Sequence, residues 1–389
     1  MPTILPDLNQ GEERSRLLEM LNESGARRVL REPETDLGIA ENLPFPFFAI
    51  VGQTEMRKAL LLSVINPAVG GVLLIGPRGT GKTTCVRSLT DLLPYNETSK
   101  CPEGCLPTDV DANGKLDVCE ECRRKLEAGE SITTLEAVKL VELPLNARLE
   151  DVVGGVNERV AVQQGRVRLE RGILARADQN LLYIDEVNLL NDGIVDAILD
   201  AAAQGSYTVR RGAMSGTYRA RFVLIGSMNP EEGRLRPQIM DRFGLRVPVQ
   251  GLNNLDERLE VYQRVRRYQQ NRRRFLAEWA ELTAAAHEEI ILARELLKET
   301  VLDDGAIEVG LTLVQQLGID SHRAEYAMFE AARAHAAADG RDVANVDDIR
   351  AVAAMALRQR RSPFMVDYFT RQAEEDNAIT DQIDALEGQ

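Results

Sequence analysis

The stretch Gly71-Val72-Leu73-Leu74-Ile75-Gly76-Pro77-Arg78-Gly79-Thr80-Gly81-Lys82-Thr83-Thr84 decides the fold. Residues 71–75 form a short apolar run closed by glycine, as a buried strand requires, and G-x4-G-K-[ST] follows, leading into a helix-compatible run over 84–93. Glycines let backbone N–H groups wrap phosphate oxygens. The Lys82 ammonium reaches the outer phosphates, and the Thr83 hydroxyl is offered to Mg²⁺. The spacing predicts that Gly76, Pro77, Arg78, Gly79, Thr80, Gly81, Lys82, Thr83 and Thr84 surround ATP, with Thr83 also a ligand of Mg²⁺.

Outward from this loop, candidate strands recur at 138–142, 181–185 and 222–227 and alternate with helical runs, the signature of a parallel sheet covered by helices. The run 181–185 ends in two carboxylates. Asp185 is expected to hold Mg²⁺ through water and Glu186 to polarise the attacking water, because in phosphoryl transfer the protein mainly positions groups and stabilises charge. Beyond 222–227 stands Asn229, a polar residue that can hold water near the γ-phosphate; an ordinary turn asparagine before Pro230 is the plainer reading. Arg242 has no task in its own subunit's site. It is either a surface residue at a helix end or an arginine that reaches a neighbour's γ-phosphate.

The expected organisation is α/β: a helical leader at 1–46, a P-loop domain with a parallel sheet flanked by helices at 47–251, and an all-helical lid and C-terminal domain at 252–389. The leader has helical spacing of Leu17, Leu18, Leu21, Val29 and Leu30 over 12–30. The lid reads as a long charged helix over 255–297 and capped helices over 321–339 and 345–360. The acidic end, 372–389, reads as a solvated helix or tail.

Four of the five cysteines fall in one insertion at 99–125, as Cys101-x3-Cys105 and Cys119-x2-Cys122. In a reducing compartment two such pairs read as a tetrathiolate Zn²⁺ site before disulfides. The stretch from Asp109 to Glu120 also fits a calcium-loop pattern, yet Pro102, Gly104 and Pro107 break the helix such a loop needs. Asn113-Gly114 is a hairpin dipeptide that would bring the two pairs together. Structural zinc is the preferred expectation, with a metal-free thiol cluster and calcium as alternatives. Cys85 reads as a buried small apolar residue.

The 389 residues carry 47 Lys+Arg against 61 Asp+Glu, a net charge of −14, with 44% hydrophobic residues. That composition excludes wholesale disorder and argues against nucleic-acid binding over the whole surface. Arg264, Arg266, Arg267 and Arg272 to Arg274 could line a nucleic-acid channel, but interspersed Glu makes a solvated or subunit-contact face the simpler reading. No apolar run approaches the roughly 20 residues a bilayer crossing needs. The start lacks the basic region and apolar stretch of a secretory signal, so the cytoplasm is the expected compartment.

These pieces resemble the AAA+ ATPases and, within them, are similar to the ATPase (I) subunit of magnesium chelatase. The matching segments are Phe48 to Gln53, the phosphate loop, Val141 to Leu145, Asp151 to Gly154, Gly172 to Ala177, Tyr183 to Leu190, and Asn229 to Gly233 running into Leu235-Arg236-Pro237-Gln238. The four-cysteine insertion is not part of the usual subunit. The resemblance implies MgATP hydrolysis that drives magnesium insertion into protoporphyrin IX, in a homo-oligomeric, hexameric ring. It implies as partners an integrin or von Willebrand A-like subunit and a large porphyrin-binding subunit. It places Val51 and Gly52 near the adenine, makes Arg242 an arginine finger and Arg323 a sensor-2 arginine, and reads 207–221 as an inserted hairpin. A MoxR-type chaperone for metal-cofactor loading is the alternative, and a nucleic-acid motor the least favoured reading.

Overall fold

A computed structural model describes residues 43–101, 104–110, 115–156, 169–211 and 214–361, with Leu17 and six positions between 368 and 379. Leu17 is helical and buried. The rest of the expected leader helix and most of the acidic end lie outside the described residues.

Five strands, β1 Val72–Ile75, β2 Leu140–Leu143, β3 Leu181–Ile184, β4 Val223–Met228 and β5 Leu245–Pro248, form one sheet in the order β5-β1-β4-β3-β2. Every neighbouring pair is parallel. Sequence reading anticipates four of them and misses β5, whose apolar run is interrupted by Arg246. That arginine is buried at 1% exposure, where Nη1 donates to Arg358 O at 2.9 Å, Nη2 lies 3.5 Å from Asp241 Oδ1 and Nε has no partner among the described residues.

Among the described residues, the α-helices of six residues or more are α1 Thr54–Ile65, α2 Lys82–Ser88, α3 Glu120–Glu127, α4 Asp192–Gln204, α5 Pro237–Arg242, α6 Leu255–Gln270, α7 Arg272–Leu297, α8 Asp304–Gln316, α9 His322–Ala338 and α10 Val346–Leu357, with shorter turns at Leu149–Val153 and Ile173–Arg176. The period-two alternation of strand side chains divides the core into two. Val72, Leu74, Leu181 and Tyr183 join α1, α2 and α7 to α10 on one face, whereas Leu73, Leu182 and Ile184 join α4 and α5 on the other. Burial on both faces explains why these strands read as continuous apolar runs.

The single helix expected over 255–297 is broken. Asn271 is extended (φ −156°, ψ 94°), and its side chain accepts the Arg274 N–H at 3.0 Å, capping α7. The arginines around this break are not a solvated face throughout. Arg264 is buried, donates to Ala49 O at 2.9 Å and lies 5.0 Å from the Trp279 ring centroid, while Arg267 and Arg272 lie over Phe275 and Tyr268. Three of the arginines thus pack on the chain's own rings, while Arg266 and Arg274 remain exposed.

Among the described residues, two antiparallel hairpins decorate the sheet in addition to the antiparallel pair Gly154–Val156 with Leu169–Arg171. One pairs Ser206–Arg211 with Met214–Arg219. The other pairs Asn96–Ser99 with Thr133–Glu136 and forms the stem of the cysteine insertion, which therefore extends beyond 99–125. Among the described residues, no helix is long and apolar enough to cross a membrane.

Candidate nucleotide site

The phosphate loop leaves the C-terminal end of β1. Gly76 donates its N–H to Met228 O at 3.0 Å, and a Cβ there would sit 1.9 Å from Val249 O, so no side chain fits. Gly79 (φ +79°) and Gly81 (φ +86°) adopt the left-handed conformation that glycine allows without steric cost. The helix after the loop starts at Lys82, two residues earlier than expected, and ends at Ser88 before a 3-10 turn at Leu89–Leu92. Lys82 Nζ donates to Gly76 O at 2.7 Å and Pro77 O at 2.8 Å. Desolvation lowers the Lys82 pKa, opposed by the nearby carboxylates of Asp185, Glu186 and Glu232.

Three strand ends meet beside Lys82. From β3, Tyr183 Oη donates to Asp185 Oδ1 at 2.9 Å and shares a hydrogen bond with Thr83 Oγ1 at 3.0 Å. Thr83 Oγ1 also lies 3.4 Å from Asp185 Oδ2. From β4, Ser227 Oγ donates to Asp185 Oδ1 and accepts the Glu186 N–H at 3.1 Å. Thr83 and Asp185, the two expected Mg²⁺ ligands, are thus brought together, and their oxygens suit a hard cation. Sequence reading missed Tyr183 and Ser227. The expected strand 181–185 held the signal for the first, because its period of two puts residues 183 and 185 on one side.

Glu186 follows in a left-handed conformation (φ 54°), unusual for a residue with a side chain. Arg78, expected on the nucleotide, pairs with carboxylates: its Nε and Nη2 lie 3.1 and 2.9 Å from Glu186 Oε1, and Nη2 lies 2.6 Å from Glu232 Oε1. Asn229 is buried, and its Oδ1 accepts the Glu231 N–H at 3.3 Å, so it caps the turn at Pro230–Glu232. It adjoins Met228, the residue that anchors Gly76. The segment holding Val51 and Gly52 lies against the chain after β5: Gln53 Nε2 donates to Gln250 O at 2.6 Å, and a Cβ on Gly52 would meet Leu252 Cδ2 at 2.5 Å.

Arg242 and Arg323 lie elsewhere. They line a small cavity with Gly70, Gly71 and Leu224, at the N-terminal end of β1 and away from Gly76. Arg242, the last residue of α5, pairs with Asp200 at 2.5 Å, and Arg323 stands 4.0 Å from Asp241.

Comparison with known proteins matches residues 156–256 to the MCM P-loop domain and residues 312–383 to the AAA lid domain. A "Magnesium-chelatase subunit ChlI homolog" of Methanocaldococcus jannaschii is 45% identical over 322 residues, covering 82% of this chain and 87% of the relative. The "Magnesium-chelatase 38 kDa subunit" of Acidiphilium rubrum is 42% identical over 316 residues, covering 81% and 90%. The chain belongs to the magnesium-chelatase ChlI family. It is an AAA+ P-loop ATPase with a helical lid. The solved structure of a putative ATPase from Cytophaga hutchinsonii, 20% identical with a TM-score of 0.52, covers 80% of this chain and 83% of its own and shares the fold. The MCM match spans β3 and β4, hence Asp185, Glu186 and Asn229, whereas the phosphate loop precedes it.

This ChlI-family chain also carries the cysteine knuckle. The Sγ atoms of Cys101, Cys105, Cys119 and Cys122 all lie within 4.8 Å of one another, with Cys101 and Cys119 at 3.6 Å. Tetrahedral Zn–S bonds of about 2.3 Å would place sulfurs about 3.8 Å apart. The Cys119 N–H donates to Cys105 Sγ at 3.3 Å, which opposes in part the burial that pushes this thiol up to about 11. Cys105, Val118, Cys122 and Ile132 form the knuckle's own core, too small to order a loop without a staple. The donor set therefore fits a metal ion. Asp109, the first position of the calcium pattern, instead pairs with Arg219 and Arg221, and an antiparallel bridge joins Val110 to Leu116. Asp111, Asn113 and Gly114 lie outside the described residues.

Proposed function

We propose that this chain is the ATP-hydrolysing subunit of a magnesium-chelatase-type machine. The observation that carries the reading is the convergence of Thr83, Asp185 and Glu186 beside Lys82, at the C-terminal ends of β1, β3 and β4. Val51 and Gly52 face the adenine, and loop residues 76–84 surround the phosphates, which are held by backbone N–H groups from residue 78 onward and by the Lys82 ammonium. Thr83 and Asp185 hold Mg²⁺, which supplies charge neutralisation on the phosphates. Glu186 orients and accepts a proton from the attacking water, and Asn229 holds that water from the end of β4.

Arg242 and Arg323 serve a neighbouring subunit. Their placement away from Gly76 supports this, because an arginine that cannot reach its own phosphates can supply charge only across an interface. The ATPase then works as a hexameric ring. The family relationship supports an integrin or von Willebrand A-like subunit and a large porphyrin-binding subunit as partners, in the cytoplasm, with magnesium insertion into protoporphyrin IX as the output. Zn²⁺ on Cys101, Cys105, Cys119 and Cys122 has a structural role, since a closed tetrathiolate leaves no open coordination position.

Reconstitution tests this reading. The purified chain alone should hydrolyse MgATP slowly and insert no metal. Adding both partner subunits should give ATP-dependent Mg²⁺ insertion that disappears with Glu186→Gln while the complex persists. Hydrolysis stimulated by DNA and falling steeply with salt would contradict it.

A further inference from the structure

Arg78 is the long side chain of the loop's outer turn, and it reaches across the site to carboxylates on two other elements. Both of its donors to Glu186 fall on one oxygen, Oε1, which leaves Oε2 to take a proton from water. The same Nη2 holds Glu232 Oε1. We propose that Arg78 and Glu232 are positioning residues that aim Glu186 at the attacking water. This rests on the reading of Glu186 as the group that accepts the water's proton.

The bridge is poorly explained as a stability device. The Arg78 side chain is 69% exposed against 19% and 21% for its two partners, and ion pairs with such exposure contribute little to folding. Its three ends, however, are fixed by other contacts. Glu186 is held by the Ser227 hydroxyl on its N–H, in a left-handed conformation that costs energy and has to be imposed by its surroundings. Glu232 belongs to the turn capped by Asn229 and donates its own N–H to Asn229 O at 3.1 Å. Arg78 follows Pro77, whose carbonyl takes Lys82 and Thr80. One guanidinium thus links the phosphate loop, the end of β3 and the turn after β4.

A second observation lies at the same place. Among the described residues, Glu232 Oε2 and Asn188 Oδ1 are buried without a hydrogen-bond partner. Asn188 lies two residues beyond Glu186 and donates to Asn229 O and Gly233 O, each at 3.4 Å. Two buried acceptors beside Glu186 and Asn229 are suited to water donors. In this arrangement Glu232 sets where Arg78 can stand, and Arg78 sets which oxygen of Glu186 stays free.

The test is steady-state hydrolysis and binding of a fluorescent ATP analogue by the full chain. Glu232→Gln should lower kcat about tenfold with KM and analogue affinity within about twofold, since positioning acts on the chemical step. Arg78→Ala should show the same kcat loss with a higher KM. Arg78→Lys, which keeps the charge but cannot fork, should recover part of kcat. The double variant Arg78→Ala/Glu232→Gln should be no slower than Arg78→Ala, as expected of residues acting as one unit. Wild-type kcat in Glu232→Gln, or losses that multiply in the double variant, overturns the proposal while leaving the site intact. Full turnover in Glu186→Gln overturns the reading of the site itself, and the positioning roles with it.

Discussion

The Tyr183 hydroxyl lies 2.9 Å from Oδ1 of Asp185, the residue that follows the end of β3. Burial pushes the Tyr183 phenol well above its ordinary pKa. Together with Ser227 it fixes the Asp185 carboxylate beside Thr83. Tyr183→Phe removes the bond to Asp185 and the one shared with Thr83, a combined net loss of about 1 kcal/mol. The Mg²⁺ concentration for half-maximal hydrolysis should rise about fivefold, while metal-free nucleotide binding holds. An unchanged Mg²⁺ titration would remove Tyr183 from the account.

Arg242 pairs with Asp200 on its own chain and lies away from its own phosphate loop. Arg242→Ala protein should bind ATP normally and hydrolyse it about 1,000-fold more slowly, the scale set by arginine fingers. Mixed with Lys82→Ala protein, it should regain activity at hybrid interfaces that join an intact loop to an intact finger. Absence of recovery in rings shown by mass to be mixed would place Arg242 outside the chemistry.

The knuckle is tied to the rest of the chain by arginines. Arg171 donates to Cys101 O at 2.7 Å, while Arg219 pairs with Asp109 and donates to Asp117 O at 3.3 Å. Purified protein should contain about one zinc per chain, and replacing Cys105 and Cys122 by Ser should abolish it. Amide exchange over 206–219 should then rise, because Arg219 ends that hairpin, while ATP affinity stays within about twofold since no site residue belongs to the knuckle. Zinc-replete protein with all four thiols free to alkylation would contradict the site.

Much of this was legible from local pattern. The loop 76–84 and the pair Asp185-Glu186 carry their chemistry in their spacing, and the strands before them are apolar because helices cover both faces. What could not be read depended on partners distant in sequence. Strand β5 was hidden because Arg246 interrupts its apolar run, and the partners that let it be buried, residues 241 and 358, are distant from it in the pattern that sequence reading uses. The helix break at Asn271 looks like one charged residue run until the side chain is seen capping α7. Ser227 becomes part of the site only through the register of β4 with β3, which places Gly226 beside Ile184 and so Ser227 beside Asp185. Arg78 belongs by motif to the phosphates, and its pairing with Glu186 and Glu232 spans more than 100 residues of chain.

The central claim is that one site binds with Lys82 and hydrolyses with Glu186. The most direct measurement is single-turnover hydrolysis of prebound MgATP by Glu186→Gln beside the wild type, with Lys82→Ala as the binding control. The account predicts that Glu186→Gln retains ATP at wild-type affinity and cleaves it about 100-fold or more slowly, the scale of a lost general base, whereas Lys82→Ala fails to retain it. Cleavage by Glu186→Gln at the wild-type rate would contradict it.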